Sequence, residues 1–282
     1  MSRTGRRRDV MKKFFSVLLT ILLVLLETYP LAWLLLSSVK APHEFTTRPI
    51  YALPTEIWGE NYRRAWTEGK VGTYFYNSII ATFPSLFFVL LLGTMAAFGI
   101  EILRWHLKNT ILLVFLAGIM IPVQMLLLPL FVLYHRMNLL DTRLALILTY
   151  VAYGLPLTVF FMSSYFQALP REILEAAILD GATIPQIFSR IALPIAANAI
   201  FTLAMVQFFF IWNDLIFSLT FISKTELRTI QTGLLNFAGR FGQIEWGPTF
   251  AAISLAVIPT FLVYLFLSRL IMEGLTAGAL KG

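Results

Sequence analysis

Cysteine is absent from the 282 residues. Disulfides, iron–sulfur ligation and a thiol nucleophile are therefore excluded. Histidine is almost as scarce. The three present, His43, His106 and His135, stand far apart with no ligand spacing, so no metal site is expected. No G-x-x-x-x-G-K-[ST] segment occurs, which removes the phosphate-cradling loop of a P-loop nucleotide hydrolase. Nor is there a recognisable pairing of nucleophile and base for hydrolysis or group transfer, so no catalytic residue is assigned. Charge is the scarcest commodity. Only 13% of residues are Asp, Glu, Lys or Arg, against 58% hydrophobic, a ratio that a water-soluble chain of this length could not bury.

The apolar residues are arranged in six long runs, 14–36, 74–100, 110–134, 144–166, 195–222 and 249–271. Each is near the ~20 residues of helix that cross a bilayer. The fold class expected is therefore an all-α integral membrane protein with six transmembrane helices. The first run, Phe14 to Leu36, gives about 34 Å of helix, longer than a signal-peptide core. No small-residue cleavage site stands out, and it reads as a retained anchor. The net charge of +7 does not point to nucleic acid, because six of the 22 basic residues (Arg3, Arg6, Arg7, Arg8, Lys12, Lys13) precede that first run. A basic flank of this kind sets orientation. With an even number of spans it puts both termini in the cytoplasm, with residues 1–13 as a basic tail and 272–282 as a second tail.

Proline interrupts several runs (Pro30, Pro84, Pro122, Pro129, Pro156 and Pro259), and polar side chains fall inside others. Glu27 lies in the first run, Gln124 in the third, and Gln207, Asn213 and Asp214 in the fifth. An ionised carboxylate within hydrocarbon costs roughly 2.5–3.5 kcal/mol on insertion scales, so Glu27 and Asp214 are expected to face a partner, a cavity or the interface. Gln124, Gln207, Asn213 and Asp214 are the candidates for lining a pathway. The outward segment 37–73, with Pro42, Pro49, Pro54, Trp58, Tyr62 and Trp66, reads as a small ordered cap.

The segment 167–194 is too polar to cross and reads as two short helices around Gly181. Pro170 and Glu172 suit the start of the first, and Gly181 is free to take a left-handed conformation after it. Thr183 and Gln186 have the spacing of a capping box at the start of the second, with Pro185 in its first turn. Ile184, Ile187, Phe188 and Ile191 follow at i, i+3, i+4 and i+7, one helical face. Covering Ile187 and Phe188 would contribute roughly 1.5–3 kcal/mol each. A flat position on lipid is disfavoured, because the polar face carries only Arg190 with Gln186 and Ser189. Docking into a groove of a second protein is preferred here over packing on the chain's own helix ends.

The pattern Glu175-Ala176-Ala177, three residues, Gly181, nine residues, Ile191, one residue, Leu193-Pro194 resembles in full the EAA motif of permease subunits of ATP-binding-cassette (ABC) importers. Glu60-Asn61-Tyr62, Asn77-Ser78, Ile121-Pro122 through Pro129-Leu130, Trp212-Asn213-Asp214 and Gly274 to Ala279 are similar to the carbohydrate-uptake, MalG-like branch, whose fold is also called MetI-like. The resemblance runs from about residue 15 to the carboxyl terminus. It implies that Glu175, Ala176, Ala177, Asp180, Gly181, Ile187, Phe188, Ile191, Leu193 and Pro194 couple to a separate ATPase. It also implies that the loop of Gly239, Arg240, Phe241 and Gly242 approaches an extracytoplasmic binding protein. The implied partners are a homologous second permease chain, two ATPase subunits that carry the ATP and magnesium, the binding protein and membrane lipid. No cofactor is expected on this chain. The implied function is one half of a sugar pathway in a bacterial or archaeal cytoplasmic membrane. Importers of glycerol phosphodiesters, polyamines or phosphate share the motif, and a proton-coupled carrier using Glu27 or Asp214 is the reading from another class.

Overall fold

Long runs of Leu, Phe, Ile, Val and Ala with few breakers favour helix wherever the backbone cannot bond to water, because a helix satisfies every N–H and C=O internally. The computed structural model accordingly contains helices and turns and no strand among the residues it describes, 3–103, 105–238 and 244–279, with side chains placed for 11–103, 105–237 and 244–268. The residues divide into two units: 1–70 with 236–255, and 71–235 with 256–282.

The first unit holds α1 (Arg3–Ser38), α2 (Glu44–Thr47), α3 (Glu60–Thr67) and the opening turns of α14 (Trp246–Ala279). After α1 the chain folds into the expected ordered cap, and polar side chains organise it. Asn61 is buried and donates through Nδ2 to the carbonyls of Ser38 (3.0 Å) and Lys40 (2.8 Å), two acceptors left over at the end of α1. Gly247 packs against the same amide; a Cβ there would stand 2.4 Å from Asn61 Oδ1. Arg64 reaches Glu245 at 2.6 Å.

Glu44 is the other organiser. Its carboxylate accepts from the Thr55 hydroxyl, the Thr55 N–H (2.7 Å) and the Ala41 N–H (3.1 Å), with the Arg48 guanidinium at 3.4 Å. Thr55 hydrogen bonding, aided by Ala41 and Arg48 and opposed by desolvation, lowers its pKa from the usual 4.5 to about 2. A carboxyl depressed by folding contributes stability that is complete above the unfolded pKa and lost as pH falls through the folded one. Protection of the Thr55 and Ala41 amides from hydrogen exchange, corrected for intrinsic rates, is therefore expected to be constant above pH 4.5 and to fall between 4.5 and 2. In Glu44→Gln that pH dependence is expected to disappear.

The second unit is built on α4 (Val71–Glu101) and α7 (Arg143–Gln167), packed along their length. Small residues let them approach. Gly93 sits where a Cβ would come 2.5 Å from Thr158 Cγ2. Asn77, buried near the start of α4, is a clamp. Its Oδ1 accepts from Arg143 Nη2 (2.8 Å) and Nε (3.1 Å), and its Nδ2 donates to the carbonyls of Glu226 (2.7 Å) and Arg228 (3.0 Å). The neighbouring Ser78 hydroxyl accepts from Ile230 N–H at 2.8 Å, at the start of α13 (Ile230–Leu234). Asn77 and Ser78 thus fasten the loop after the fifth apolar run to the second.

Among the described residues four helices are long and apolar enough to cross a membrane: Met11–Ser38, Val71–Glu101, Arg143–Gln167 and Trp246–Ser268. The third and fifth runs differ from the continuous stretches expected. The run 110–134 folds as α5 (Lys108–Ile119) and α6 (Val123–Arg136), bent by 98°. Pro122 explains the break: it disfavours a helical Ile121 and itself takes an extended conformation (φ −62°, ψ 134°) before α6. Pro30, Pro84, Pro129, Pro156 and Pro259 all lie within continuing helices. The run 195–222 folds as α11 (Ala197–Trp212) and α12 (Ile216–Phe221), separated at 213–215. A 75° bend parts α11 from residues 184–195. Counting each bent pair as one span gives six.

Candidate functional site

The connection between α7 and α11 begins with α8 (Arg171–Leu179), entered through Pro170 in an extended conformation. Its close is a Schellman motif. Gly181 N–H bonds to Ile178 C=O at 3.0 Å and Ala182 N–H to Ala177 C=O at 2.9 Å, while Gly181 has φ +82°. A side chain at Gly181 would meet no atom within 4 Å, so glycine is required for its backbone and not for space. The chain re-enters helix at α9 (Ile184–Ile187), where Thr183 N–H and hydroxyl donate to Gln186 Oε1 at 2.8 and 3.0 Å. A π-helical turn, Phe188–Ala192, and the short α10 (Leu193–Ile195) then lead to α11.

The packing corrects the expected docking face. Leu174 and Ala177 of α8 and Ile187 of α9 turn inward onto Ala97, Phe98, Met162 and Phe166. Phe188 lies edge-on to Phe98 with centroids 5.1 Å apart, and Ile191 is partly buried against the same cluster. The 3.6-residue period identified the buried side at Ile187, Phe188 and Ile191, which the chain's own helix ends cover, but not at Ile184, which stays exposed. The most exposed apolar side chains of this connection belong to the turn: Leu179 is 88% exposed, Ile178 61% and Ile184 53%. Glu175, Ala176, Asp180, Gly181 and Pro194 are exposed as well, whereas Leu193 is half-buried. Of the residues that the resemblance implies couple to the ATPase, these five share the outer surface. Ala177, Ile187, Phe188 and Ile191 hold the turn to the bundle. Ile178 and Leu179 were missed because they lie between the EAA triplet and its glycine, where helical periodicity gives no inward partner. That mismatch was the available signal. Beside the turn, a cleft of about 1110 Å³ runs between Glu101, Trp105, His106 and Lys108 on one wall and Glu175 and Ile184 on the other.

A second cavity, about 370 Å³, lies within the helices of the same unit, lined by Tyr150, Tyr153, Gly154, Gln207, Asp214 and Phe217 among others. Gln207 Nε2 donates to Gly154 C=O and Thr158 Oγ1, both at 2.9 Å. Gly154 permits this approach, since a Cβ would fall 2.8 Å from Gln207 Oε1. Asp214 accepts from Tyr150 Oη at 2.8 Å, Ser218 N–H at 3.0 Å and Phe217 N–H at 3.2 Å. The carboxylate therefore caps α12 and accounts for the interruption of the fifth run. Gln207 and Asp214 come together around this space. Gln124 is exposed on α6, and Asn213 is exposed and bonded to Gln231 at 3.3 Å. Neither lines the cavity. Tyr150 and Tyr153 were not singled out from the sequence, because tyrosine within an apolar helix carries no distinguishing pattern. Gly239, Arg240, Phe241 and Gly242 lie outside the described residues.

Residues 89–275 match the family described as binding-protein-dependent transport system inner membrane component. Over 282 residues the chain is 34% identical to the diacetylchitobiose uptake system permease protein NgcG of Streptomyces coelicolor, covering all of this chain and 93% of the relative. It is 31% identical over 280 residues to the trehalose/maltose transport system permease protein MalG of Thermococcus litoralis, covering 98% and 99%. In fold it superimposes on a chain of a bacterial ABC transporter involved in the import of the acidic polysaccharide alginate. That likeness has a TM-score of 0.80 over 95% of this chain and 98% of the other, at 21% identity. The Schellman turn, the helical bundle and these likenesses lead to one conclusion: the chain belongs to the binding-protein-dependent transport system inner membrane components, the multi-pass permease subunits of ABC importers.

Proposed function

We propose that this chain forms one transmembrane half of a sugar importer, pairing with a homologous second permease chain, two ATPase subunits and an extracytoplasmic binding protein. The observation that carries the coupling role is the exposed apolar turn of Ile178, Leu179 and Ile184 around Gly181. It is a rigid hydrophobic knob held to the bundle by Ile187 and Phe188, of the kind that fills a groove on another protein. ATP and magnesium are held by the ATPase subunits, and this chain binds no cofactor. Both termini lie in the cytoplasm, on the side of the knob. When ATP draws the ATPase pair together, the knob moves with the ATPase, and the π turn and α11 carry the displacement into the membrane.

The cavity beside Gln207 and Asp214 is this chain's contribution to the pathway. Tyr150, Tyr153 and Phe217 offer ring faces to the apolar side of a sugar, and the Gln207 amide offers an acceptor. The sugar assignment is supported by the relatives named for diacetylchitobiose and trehalose/maltose uptake. Reconstitution with the co-expressed subunits tests it. Labelled oligosaccharide is expected to accumulate in proteoliposomes only with binding protein outside and ATP inside, and Tyr153→Ala is expected to lower uptake about tenfold without lowering ATPase binding. Uptake in the absence of the ATPase subunits would refute the reading.

A further inference from the structure

Where α4 and α7 end, charges of both signs face one space. The cleft of about 1110 Å³ takes Glu101 and Lys108 from one wall and Arg171 and Glu175 from the other. Glu101 is the last residue of α4, Lys108 the first of α5 and Arg171 the first of α8. Glu101 and Lys108 are half-buried, and none of the four charged groups enters a hydrogen bond or an ion pair among the described residues. Sequence position fixes the depth of the cleft. Glu101 directly follows the apolar run 74–100, Lys108 stands two residues before the run 110–134, and Arg171 five residues after the run 144–166. Each is within about one and a half helical turns of the end of a run, at the level of the headgroup layer, which adds about 5–7 Å to each side of the hydrocarbon. Trp105, a residue type that gathers at this level, also lines the cleft and donates through Nε1 to Gly99 C=O at 2.9 Å. Half-buried Ile102 and Leu169 give the same cleft an apolar surface.

The molecules that crowd this layer are phospholipids, and the charges select among their headgroups. A purely anionic headgroup pairs with Lys108 and Arg171 but meets Glu101 and Glu175 with like charge. A phosphate beside a primary ammonium satisfies both signs. Its N–H groups also donate hydrogen bonds to the carboxylates, which a quaternary ammonium cannot do. We propose that the cleft binds the headgroup of a phosphatidylethanolamine-type lipid, with the phosphate between Lys108 and Arg171, the ammonium between Glu101 and Glu175, and the first acyl methylenes on Ile102 and Leu169. The lipid then bridges the connection from α4 to α5 and the start of α8. It tethers the turn around Gly181 to the membrane surface, so that the position of the turn depends on lipid composition as well as on protein contacts.

The test uses the full chain, assembled with cysteine-free co-expressed subunits in phosphatidylcholine nanodiscs. This chain has no cysteine, so a fluorophore on Gln167→Cys, which lines the cleft, reports it without background. Quenching by acyl-brominated phosphatidylethanolamine is expected to exceed quenching by brominated phosphatidylcholine or phosphatidylglycerol, at the same mole fraction, about fivefold. A fluorophore on Phe266→Cys, exposed on α14, is expected to show no preference. Lys108→Gln and Glu101→Gln are each expected to remove most of the preference at Gln167→Cys, and Lys108→Arg to keep it. Soluble glycerophosphoethanolamine is expected not to displace the lipid. Equal quenching by the three lipids, a preference for either of the other two, or the same preference at Phe266→Cys would overturn the proposal. So would a preference retained in Lys108→Gln or in Glu101→Gln, or full displacement by the soluble headgroup. A preference that appears only once the ATPase subunits are removed would also overturn it, because a protein segment would then cover the cleft in the assembly.

Discussion

Leu179→Asp is expected to strip the ATPase subunits from the purified assembly while leaving this chain inserted and folded. Leu179 is almost fully exposed, so an aspartate there loses no contact within the chain, and surface substitutions of that kind leave stability nearly unchanged. In the docked state the same carboxylate would be buried in an apolar groove without a partner. Disruption of an anchor residue at the centre of an interface costs about 2–4 kcal/mol, a weakening of roughly 30- to 1000-fold. Ile187→Ala should behave in the opposite way. Ile187 is 4% exposed and packs on Phe98, Met162 and Phe166, so truncation is expected to lower thermal stability in detergent through a loss of about 2–5 kcal/mol, with ATPase affinity falling only as the turn loosens. Pull-down of the ATPase beside a melting curve separates the two variants. Loss of ATPase binding in Ile187→Ala at unchanged stability, with Leu179→Asp retaining it, would assign the docking surface to the wrong side of the turn.

Gly181→Val is expected to abolish ATP-driven uptake while the chain reaches the membrane in normal amount. The residue has φ +82°, and its substituted Cβ would strike nothing, so the whole effect is conformational. An L-residue in the left-handed region costs about 1–2 kcal/mol, and a β-branched one is a true outlier there. The cheapest escape is to give up the Schellman bonds to Ile178 and Ala177, which re-aims α9 relative to α8 and separates Ile184 from Ile178 and Leu179. A graded series follows. Asparagine, which tolerates this region, should keep most of the uptake, alanine should reduce it, and valine should leave less than about a tenth. Equal uptake across the series would mean that the angle set at Gly181 is irrelevant to coupling.

The all-helical, multi-span character was readable because it rests on long apolar runs, a signal that little local packing detail can override. The two exceptions share a cause. At Pro122 and Asp214 a residue within an apolar run changes what the backbone can bond to: proline removes a donor and disfavours a helical predecessor, and Asp214 supplies acceptors that start a new helix at Ile216. The proline list alone could not single out Pro122, since five other prolines sit in uninterrupted helices. At the site, Gly181 and the reach of Gln186 to Thr183 were legible as local chemistry between near neighbours. The direction of the Ile187 face was not, because it depends on Ala97, Phe98, Met162 and Phe166, which lie far away in sequence. Asn77 and Asn61 illustrate the same limit. Each could be seen as part of a family pattern, but its role as a clamp on distant carbonyls appears only once the chain is folded.

The proposed coupling requires that the apolar turn around Gly181 seat in the ATPase with Leu179 outward and Ile187 inward. Single cysteines at these two positions in the assembled complex, each paired with a cysteine engineered along the ATPase groove, test it most directly. The account predicts rapid cross-linking from Leu179→Cys that changes in rate when ATP is added, and none from Ile187→Cys until the chain is unfolded. Free labelling of Leu179→Cys in the assembled complex with no cross-link, or preferential cross-linking from Ile187→Cys, would contradict it.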